Sequence, residues 1–263
     1  VNFVNGPDGA IYVLDMYRET IEHPYSVPED IKKYLRLESG DDRGRIYRLV
    51  PPKWKQPKPV KLAAAGSRDL VKALESDNGW TRQTAHRLLW ERNDRKTVPL
   101  LAKTAIRSAE PLARAHSLWI LHGLEALEDQ VLVAALGDPS PRVREHAIVL
   151  AEDRLDRAAF RPALARLSGD PDPRVRYQVA FSLGTVGTAD RQLPLSRLAK
   201  RAPADNHLRF AVMSSSLGLE NKLLQALLRD KAFLAKNGSS AWLSDFARLA
   251  GANPKPTEAI SLL

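Results

Sequence analysis

Five arginines recur at near-constant spacing along the chain: Arg82, Arg114, Arg144, Arg176 and Arg209, separated by 32, 30, 32 and 33 residues. A guanidinium is a planar, permanently charged fork that grips a carboxylate or phosphate through two parallel hydrogen bonds. If the segments carrying these arginines stack as neighbouring helices, the cations form a row with roughly 10 Å steps, the usual distance between packed helices. Such a row could bind the phosphates or carboxylates of a ligand. It could equally be tied up internally, because Asp138 stands before Arg144 and Asp170 before Arg176 in two copies of one motif. That co-occurrence favours a ladder in which each arginine pairs with the turn aspartate of its own or an adjacent unit and sets the angle between helices.

Other residues with chemical capacity fit a structural role better than a reactive one. His116 and His146 share a repeat position two residues after an arginine of the column. Stacked helices hold them too far apart for one ion, whose ligand distance is about 2 Å. His86 falls out of that register, and His122 and His207 have no ligand partner at a recognisable spacing. Trp80, Trp90, Trp119 and Trp242 could be stacking platforms for bases. Trp90 and Trp119 lie among leucines and isoleucine, however, where large aromatics are normally core. Glu152-Asp153 and Asp41-Asp42 are adjacent acids, and neighbours in sequence on a helix do not face each other. Ser214-Ser215-Ser216 sits inside a helical pattern without a nucleophile elbow. Gly184-Thr185-Val186-Gly187 lacks the lysine of a phosphate loop and reads as a helix C-terminus. With no cysteine in the chain, disulfides, thiolate nucleophiles, zinc-thiolate sites and covalent c-type haem are excluded from it.

The elements that position the arginine column are announced by a repeated stretch. Asp138-Pro139-Ser140-Pro141-Arg142-Val143-Arg144 returns 32 residues later as Asp170-Pro171-Asp172-Pro173-Arg174-Val175-Arg176, the self-similarity of a repeat array. The first proline stops a helix, and the second suits the first turn of the next. Val143, Ala147, Leu150 and Ala151, then Val175, Val179, Ala180 and Leu183, fall on one helical face in each copy. Similar helix-turn-helix units are expected from Leu70 to Trp90, Val98 to Leu121 and Leu193 to Leu217, with an atypical pair from Lys222 to about Leu249. The fold class read from this pattern is mainly α: a HEAT-like α-solenoid of about five helix pairs plus a degenerate cap, since a lone pair cannot bury its apolar face.

Residues 1–50 differ in texture. Asn5-Gly6-Pro7-Asp8-Gly9 is a turn signal between two strand-like runs and predicts a hairpin. Arg45 to Val50 alternates as a further strand, and Pro28 to Leu35 opens with proline and acids as a helix does. The proline-rich stretch Pro51 to Val60 reads as a stiff linker. The expected organisation is a small β segment with one helix at 1–50, a linker at 51–66 and helical repeats at 67–263.

Val1 to Arg18, with Ile21-Glu22-His23-Pro24 and Asp42-Arg43-Gly44-Arg45-Ile46-Tyr47-Arg48, resembles the last blade of the dehydrogenase-like, haem-binding β-propeller proteins typical of planctomycetes. The resemblance extends through Asn78-Gly79-Trp80 and Ala85-His86-Arg87-Leu88-Leu89. It implies a propeller related to sugar dehydrogenase propellers, followed by HEAT-type repeats and often by a cytochrome c domain. It also implies an exported or periplasmic setting, and a parent with quinone- or haem-linked dehydrogenase activity. Propellers place central or top-face groups just after a strand, which makes Asp15, Arg18, Glu22 and His23 the catalytic candidates; the competing role is holding the loop and helix of residues 20–40 against a neighbouring blade. Haem c is implied for the parent, and no cofactor or metal is expected in this chain.

The 263 residues carry 40 Lys and Arg against 31 Asp and Glu, and the excess lies after residue 60. A basic array attracts nucleic acid, anionic lipid or acidic protein alike. No apolar run is long enough for a membrane span, and the start has no signal-peptide pattern. Because the first residue is Val within a strand-like run, a piece of a longer protein is expected. The leading functional reading is a non-catalytic, monomeric scaffold or interaction module that docks the propeller to another domain or protein. A basic solenoid binding nucleic acid is the alternative from another class, and a parent active site that borrows residues from 1–50 is a third.

Overall fold

In the computed structural model, which describes residues 2–58, 60–155 and 157–252, the alternating segments become strands and the periodic ones become helices. Two compact units divide between Asp94 and Arg95.

The first unit opens with β1 (Asn2–Asn5), β2 (Ile11–Asp15) and β3 (Arg45–Leu49), an antiparallel sheet in that order. Val4 stands opposite Tyr12, and Tyr12 opposite Arg48. Asp8 organises the hairpin from inside. Its buried carboxylate accepts from the Ala10 N–H (3.1 Å) and the Tyr12 hydroxyl (2.9 Å), and lies 3.5 Å from an Arg48 nitrogen on β3. The turn thereby fixes the register of both neighbouring strands. Between β2 and β3 run a 3-10 turn at Pro24–Ser26 and the single-turn helix α1 (Glu29–Lys32), with acids first and lysine last, the polarity that suits the macrodipole. Gly40 has φ +81°, and a Cβ there would stand 1.8 Å from the Tyr17 carbonyl oxygen.

The sheet is apolar on both faces. Paired residues share a face, so Phe3, Val13 and Tyr47 lie on one side and Leu14 and Ile46 on the other. Phe3 is 64% exposed and Ile46 70% exposed. The same unit contains α2 (Ser67–Ala73) and α3 (Gly79–Arg92). Asn78 caps α3 by accepting from the Trp80 and Thr81 N–H groups at 2.8 and 3.3 Å. Its Nδ2 donates to the Gly6 and Pro7 carbonyls at 3.1 and 3.2 Å. One side chain therefore starts the helix and ties it to the hairpin.

The second unit is an α-solenoid: α4 (Val98–Arg107), α5 (Pro111–Gly123), α6 (Asp129–Ala135), α7 (Pro141–Leu150), α8 (Arg161–Leu167), α9 (Pro173–Ser182), α10 (Thr188–Arg201), α11 (Asn206–Ser214), α12 (Glu220–Leu228), α13 (Lys231–Leu234) and α14 (Ser239–Ala252). The second helices α5, α7, α9 and α11 pack successively on one another, while α4 packs on α6, α8 on α10 and α10 on α12. Two layers of helices enclose a core that includes Leu118, Val143, Ala147, Val175, Val179 and Ala211, all fully buried. Proline at the first residue of α5, α7 and α9 sets the helix start where its missing N–H costs nothing. Phe233, Trp242 and Phe246 fill the end of the stack.

Two local expectations are corrected. Trp90 is 56% exposed: Ala85 and Leu89 form the buried stripe of α3, and the next residue is turned by about 100° off that stripe. The serine run lies not within α11 but at its end. Ser214 Oγ donates to the Ala211 carbonyl and Ser216 Oγ to the Met213 carbonyl, both at 2.8 Å, the back-bonding by which serine competes with helix continuation.

Gly40→Ala should cost about 1–3 kcal/mol in chemical denaturation, because backbone must move to admit the methyl. Gly251→Ala, where a Cβ meets nothing within 4 Å, should instead stabilise by about 0.5–1 kcal/mol.

Candidate functional site

Each arginine of the column is the fourth residue of its helix: Arg82 in α3, Arg114 in α5, Arg144 in α7, Arg176 in α9 and Arg209 in α11. Helical side chains lean toward the N-terminus, so the guanidinium returns to the turn just left. Nη1 of Arg82 donates to the Ser76 carbonyl at 2.6 Å. Nη1 of Arg114 reaches the Ser108 and Ala109 carbonyls at 2.7 and 3.2 Å, and Nη1 of Arg144 those of Asp138 and Pro139 at 2.8 and 3.1 Å. Nη1 of Arg176 reaches the Asp170 and Pro171 carbonyls, both at 2.8 Å.

The opposite edge of the fork holds the next unit. Nε and Nη2 of Arg114 grip the two oxygens of Asp138 at 2.7 Å, and those of Arg144 grip Asp170 at 2.8 Å. The aspartates are themselves fixed, accepting from the Ser140 N–H at 2.7 Å and the Asp172 N–H at 2.9 Å. The Arg114 and Asp138 side chains are 7% and 6% exposed. Within the second unit this is a buried ladder of bidentate pairs, each joining consecutive repeats. Arg209 Nε lies 3.0 Å from Asp245 on α14. Arg176 breaks the pattern: the position equivalent to Asp138 and Asp170 is Pro203, and the buried Arg176 Nε has no hydrogen-bond partner.

A second ladder runs along the first helices and was not found in the sequence. Arg166 Nη2 donates to the Leu136 carbonyl (2.9 Å), Arg197 Nη1 to the Ala165 carbonyl (2.5 Å) and Lys236 Nζ to the Lys200 carbonyl (2.8 Å). Each cation sits on the C-terminal carbonyls of a preceding first helix, where four acceptors are otherwise unsatisfied and the dipole is negative. The signal available was the spacing of Arg166 and Arg197, 31 residues apart. Asp129, in the first turn of α6, receives Arg154 at 3.0 Å and Arg157 at 2.9 Å.

Of the catalytic candidates, Asp15 and Arg18 line one cavity of about 1160 Å³ together with Tyr17, Glu19, Glu38 and Asp41. Asp15 accepts from the Tyr17 N–H at 2.9 Å, and Arg18 donates to the Leu37 carbonyl. Tyr17 has φ 51°, an uncommon backbone state for a bulky residue. Glu22 and His23 are not in the cavity wall. His23 instead caps the 3-10 turn, its Nδ1 accepting from the Tyr25 N–H at 3.3 Å, and its ring stacks on Tyr25. Among the histidines of the second unit, His146 Nδ1 accepts from Trp119 Nε1 at 3.3 Å. Among the described residues no group of three or more His, Asp or Glu is placed to hold a metal ion, and no helix is long and apolar enough to cross a membrane.

Residues 129–214 match HEAT repeats. That span runs from α6 through α11 and contains both bidentate pairs' aspartates. Residues 1–53 match a domain of unknown function, DUF7133, which covers the three-stranded sheet. No curated protein matches the chain.

Asp138→Ala should lower stability by about 3–5 kcal/mol, because it strands a buried guanidinium. Arg87→Ala, which removes an exposed pair with Glu91, should change it by less than about 1 kcal/mol. Urea denaturation of both variants measures the contrast.

Three aspartates give the fold a defined acid sensitivity. Burial opposes ionisation of Asp8, but the Ala10 N–H, the Tyr12 hydroxyl and the Arg48 charge outweigh it and lower its pKa. Burial likewise opposes ionisation of Asp129, and Arg157 and Arg154 outweigh it. Lys200 and the Phe233 N–H lower Asp230. Lowered carboxylates contribute stability that is complete above the unfolded value of about 3.9 and is lost as pH falls through the folded values. Burial also lowers the pKa of His86, so denaturation midpoints should begin to decline as pH falls below the unfolded histidine value of about 6.5 and fall further below about pH 4, and Asp129→Asn should make the second fall shallower.

Proposed function

We propose that the chain is a non-catalytic helical-repeat scaffold, a protein-interaction module at the end of a β-propeller in a larger exported, dehydrogenase-like haem-binding protein. The observation that carries the reading is how the conspicuous charges are used. Arg114 and Arg144 are hydrogen-bonded on both edges to turn carbonyls and aspartates, so the chain's strongest chemical pattern serves helix stacking. On this reading residues 1–50 are the propeller part, 51–66 the connection and 67–263 the repeats.

The sheet supports the propeller half of the reading. Apolar side chains on both faces, Phe3 and Ile46 among them, remain exposed; a three-stranded sheet of this kind needs covering layers to be stable. Asp15 and Arg18 line their cavity beside the same sheet, where a larger body could draw on them. Haem belongs to the parent in this proposal, because the chain has no cysteine to attach it. A nucleic-acid ligand would have to bind without the column, since Arg114 and Arg176 are buried.

The purified chain should show no quinone-dependent oxidation of aldose sugars above a heat-denatured control. Sustained turnover abolished by Asp15→Asn would overturn the scaffold reading and move the function to the cavity at Asp15.

A further inference from the structure

The C-terminal half of α10, the turn after α8 and the stretch after α13 wall a depression of about 470 Å³ whose charged side chains are Arg197, Lys200, Arg201 and Lys236. No carboxylate of the described residues lines it. Asp230, outside the wall, lies 2.9 Å from Lys200 and balances one of the four charges. Arg201 is exposed and makes no hydrogen bond or ion pair among the described residues. The wall therefore keeps an excess of three positive charges within one repeat.

The backbone carbonyls beside it do not use that charge up. Arg197 gives Nη1 to the Ala165 carbonyl at 2.5 Å, and Lys236 gives one N–H to the Lys200 carbonyl at 2.8 Å. These contacts hold the two cations in place. A neutral acceptor takes one donor and leaves the positive charge, with two more N–H groups on the ammonium and four on the guanidinium. The other end carbonyls of α8 are filled by the backbone: Leu164 accepts from the Ser168 N–H, Arg166 from that of Gly169 and Leu167 from that of Asp170, at 2.9 to 3.0 Å. The negative end of that helix is thus already satisfied.

A second observation points into the same depression. Ser196, on its wall, is 7% exposed, and its hydroxyl makes no hydrogen bond among the described residues. A buried polar group without a partner needs an explanation, and this one offers a neutral donor beside the cations. Gly169 lines the wall without a side chain, which leaves the turn after α8 open.

We propose that this depression binds the phosphate group of a small phosphorylated ligand. A phosphate ester carries about 1.5 to 2 negative charges near neutral pH and three strong acceptor oxygens. It can therefore engage an arginine fork, a lysine ammonium and the Ser196 hydroxyl together, whereas a carboxylate brings one charge and two oxygens. The site goes beyond the scaffold reading, since it requires neither turnover nor a macromolecular partner.

The test is isothermal titration calorimetry of the whole chain near neutral pH and at fixed ionic strength, with inorganic phosphate, glycerol 3-phosphate and succinate. Saturable one-to-one binding of both phosphates is expected, with succinate weaker by about tenfold or more. Tighter binding of glycerol 3-phosphate than of inorganic phosphate would identify the ester as the ligand's form. Arg201→Glu should weaken phosphate about tenfold or more, and Ser196→Ala about fivefold. Arg201 is exposed and unpaired, so its variant should melt as the parent does. Arg68→Glu, an equal charge change at an exposed position of the first unit, should leave the affinity unchanged. Absence of saturable phosphate binding, succinate bound as tightly as phosphate, or affinity unchanged in Arg201→Glu would overturn the proposal. An equal loss in Arg68→Glu would also overturn it, by assigning the binding to the net charge of the chain.

Discussion

The bidentate contact between an arginine at the fourth position of one second helix and the turn aspartate of the next repeat is the constraint on which the second unit depends. Ala and Val faces allow α5, α7, α9 and α11 to approach closely, but smooth apolar faces tolerate a range of crossing angles. Arg114 with Asp138, and Arg144 with Asp170, remove that freedom, because a planar fork accepts a carboxylate in one orientation. The third donor of each arginine, bound to carbonyls five and six residues back, anchors the fork to its own turn. Net energy is not the main product: a buried ion pair is often no better than well-packed apolar residues, while half of one is costly. Geometry repeated from unit to unit is what a solenoid requires.

Cations on first-helix carbonyls complete the arrangement on the other layer. Arg166 on Leu136 and Arg197 on Ala165 neutralise helix ends that would otherwise present bare acceptors. Much of the positive charge that makes the chain look like a polyanion binder is thereby committed to its own backbone. The first unit is organised differently. There a single buried carboxylate, Asp8, and a single amide, Asn78, fix hairpin and helix start, while the sheet keeps apolar surface open on both faces.

The helix pairs were legible because their signals are local. Asp-Pro-x-Pro marks a stop and a start, and Val143, Ala147 and Leu150 mark one face, so α6 to α9 could be placed from residues alone. The hairpin was legible from Asn-Gly-Pro-Asp-Gly for the same reason. The pairing of Arg144 with Asp170 was visible only as co-occurrence, since the choice between its own turn and the next depends on how far a side chain leans across the interface. Trp90 shows the limit of reading by neighbours: leucines next to it in sequence occupy another side of α3. Arg176 shows a further limit. Its motif copy is intact, and what distinguishes it is Pro203 in the following unit, 27 residues away. His23 likewise joined Asp15 and Arg18 as a polar group after a strand, yet the 3-10 turn at Pro24 draws it to Tyr25 instead.

The account stands most directly on whether the arginine column is an internal ladder. A double-mutant cycle of Arg144→Ala and Asp170→Ala, followed by urea denaturation, measures it. The ladder predicts that the double variant is more stable than the sum of the single losses implies, with a coupling of about 1–3 kcal/mol. Additive losses, with coupling below about 0.5 kcal/mol, would contradict it and return Arg144 to the surface as a group available to a ligand.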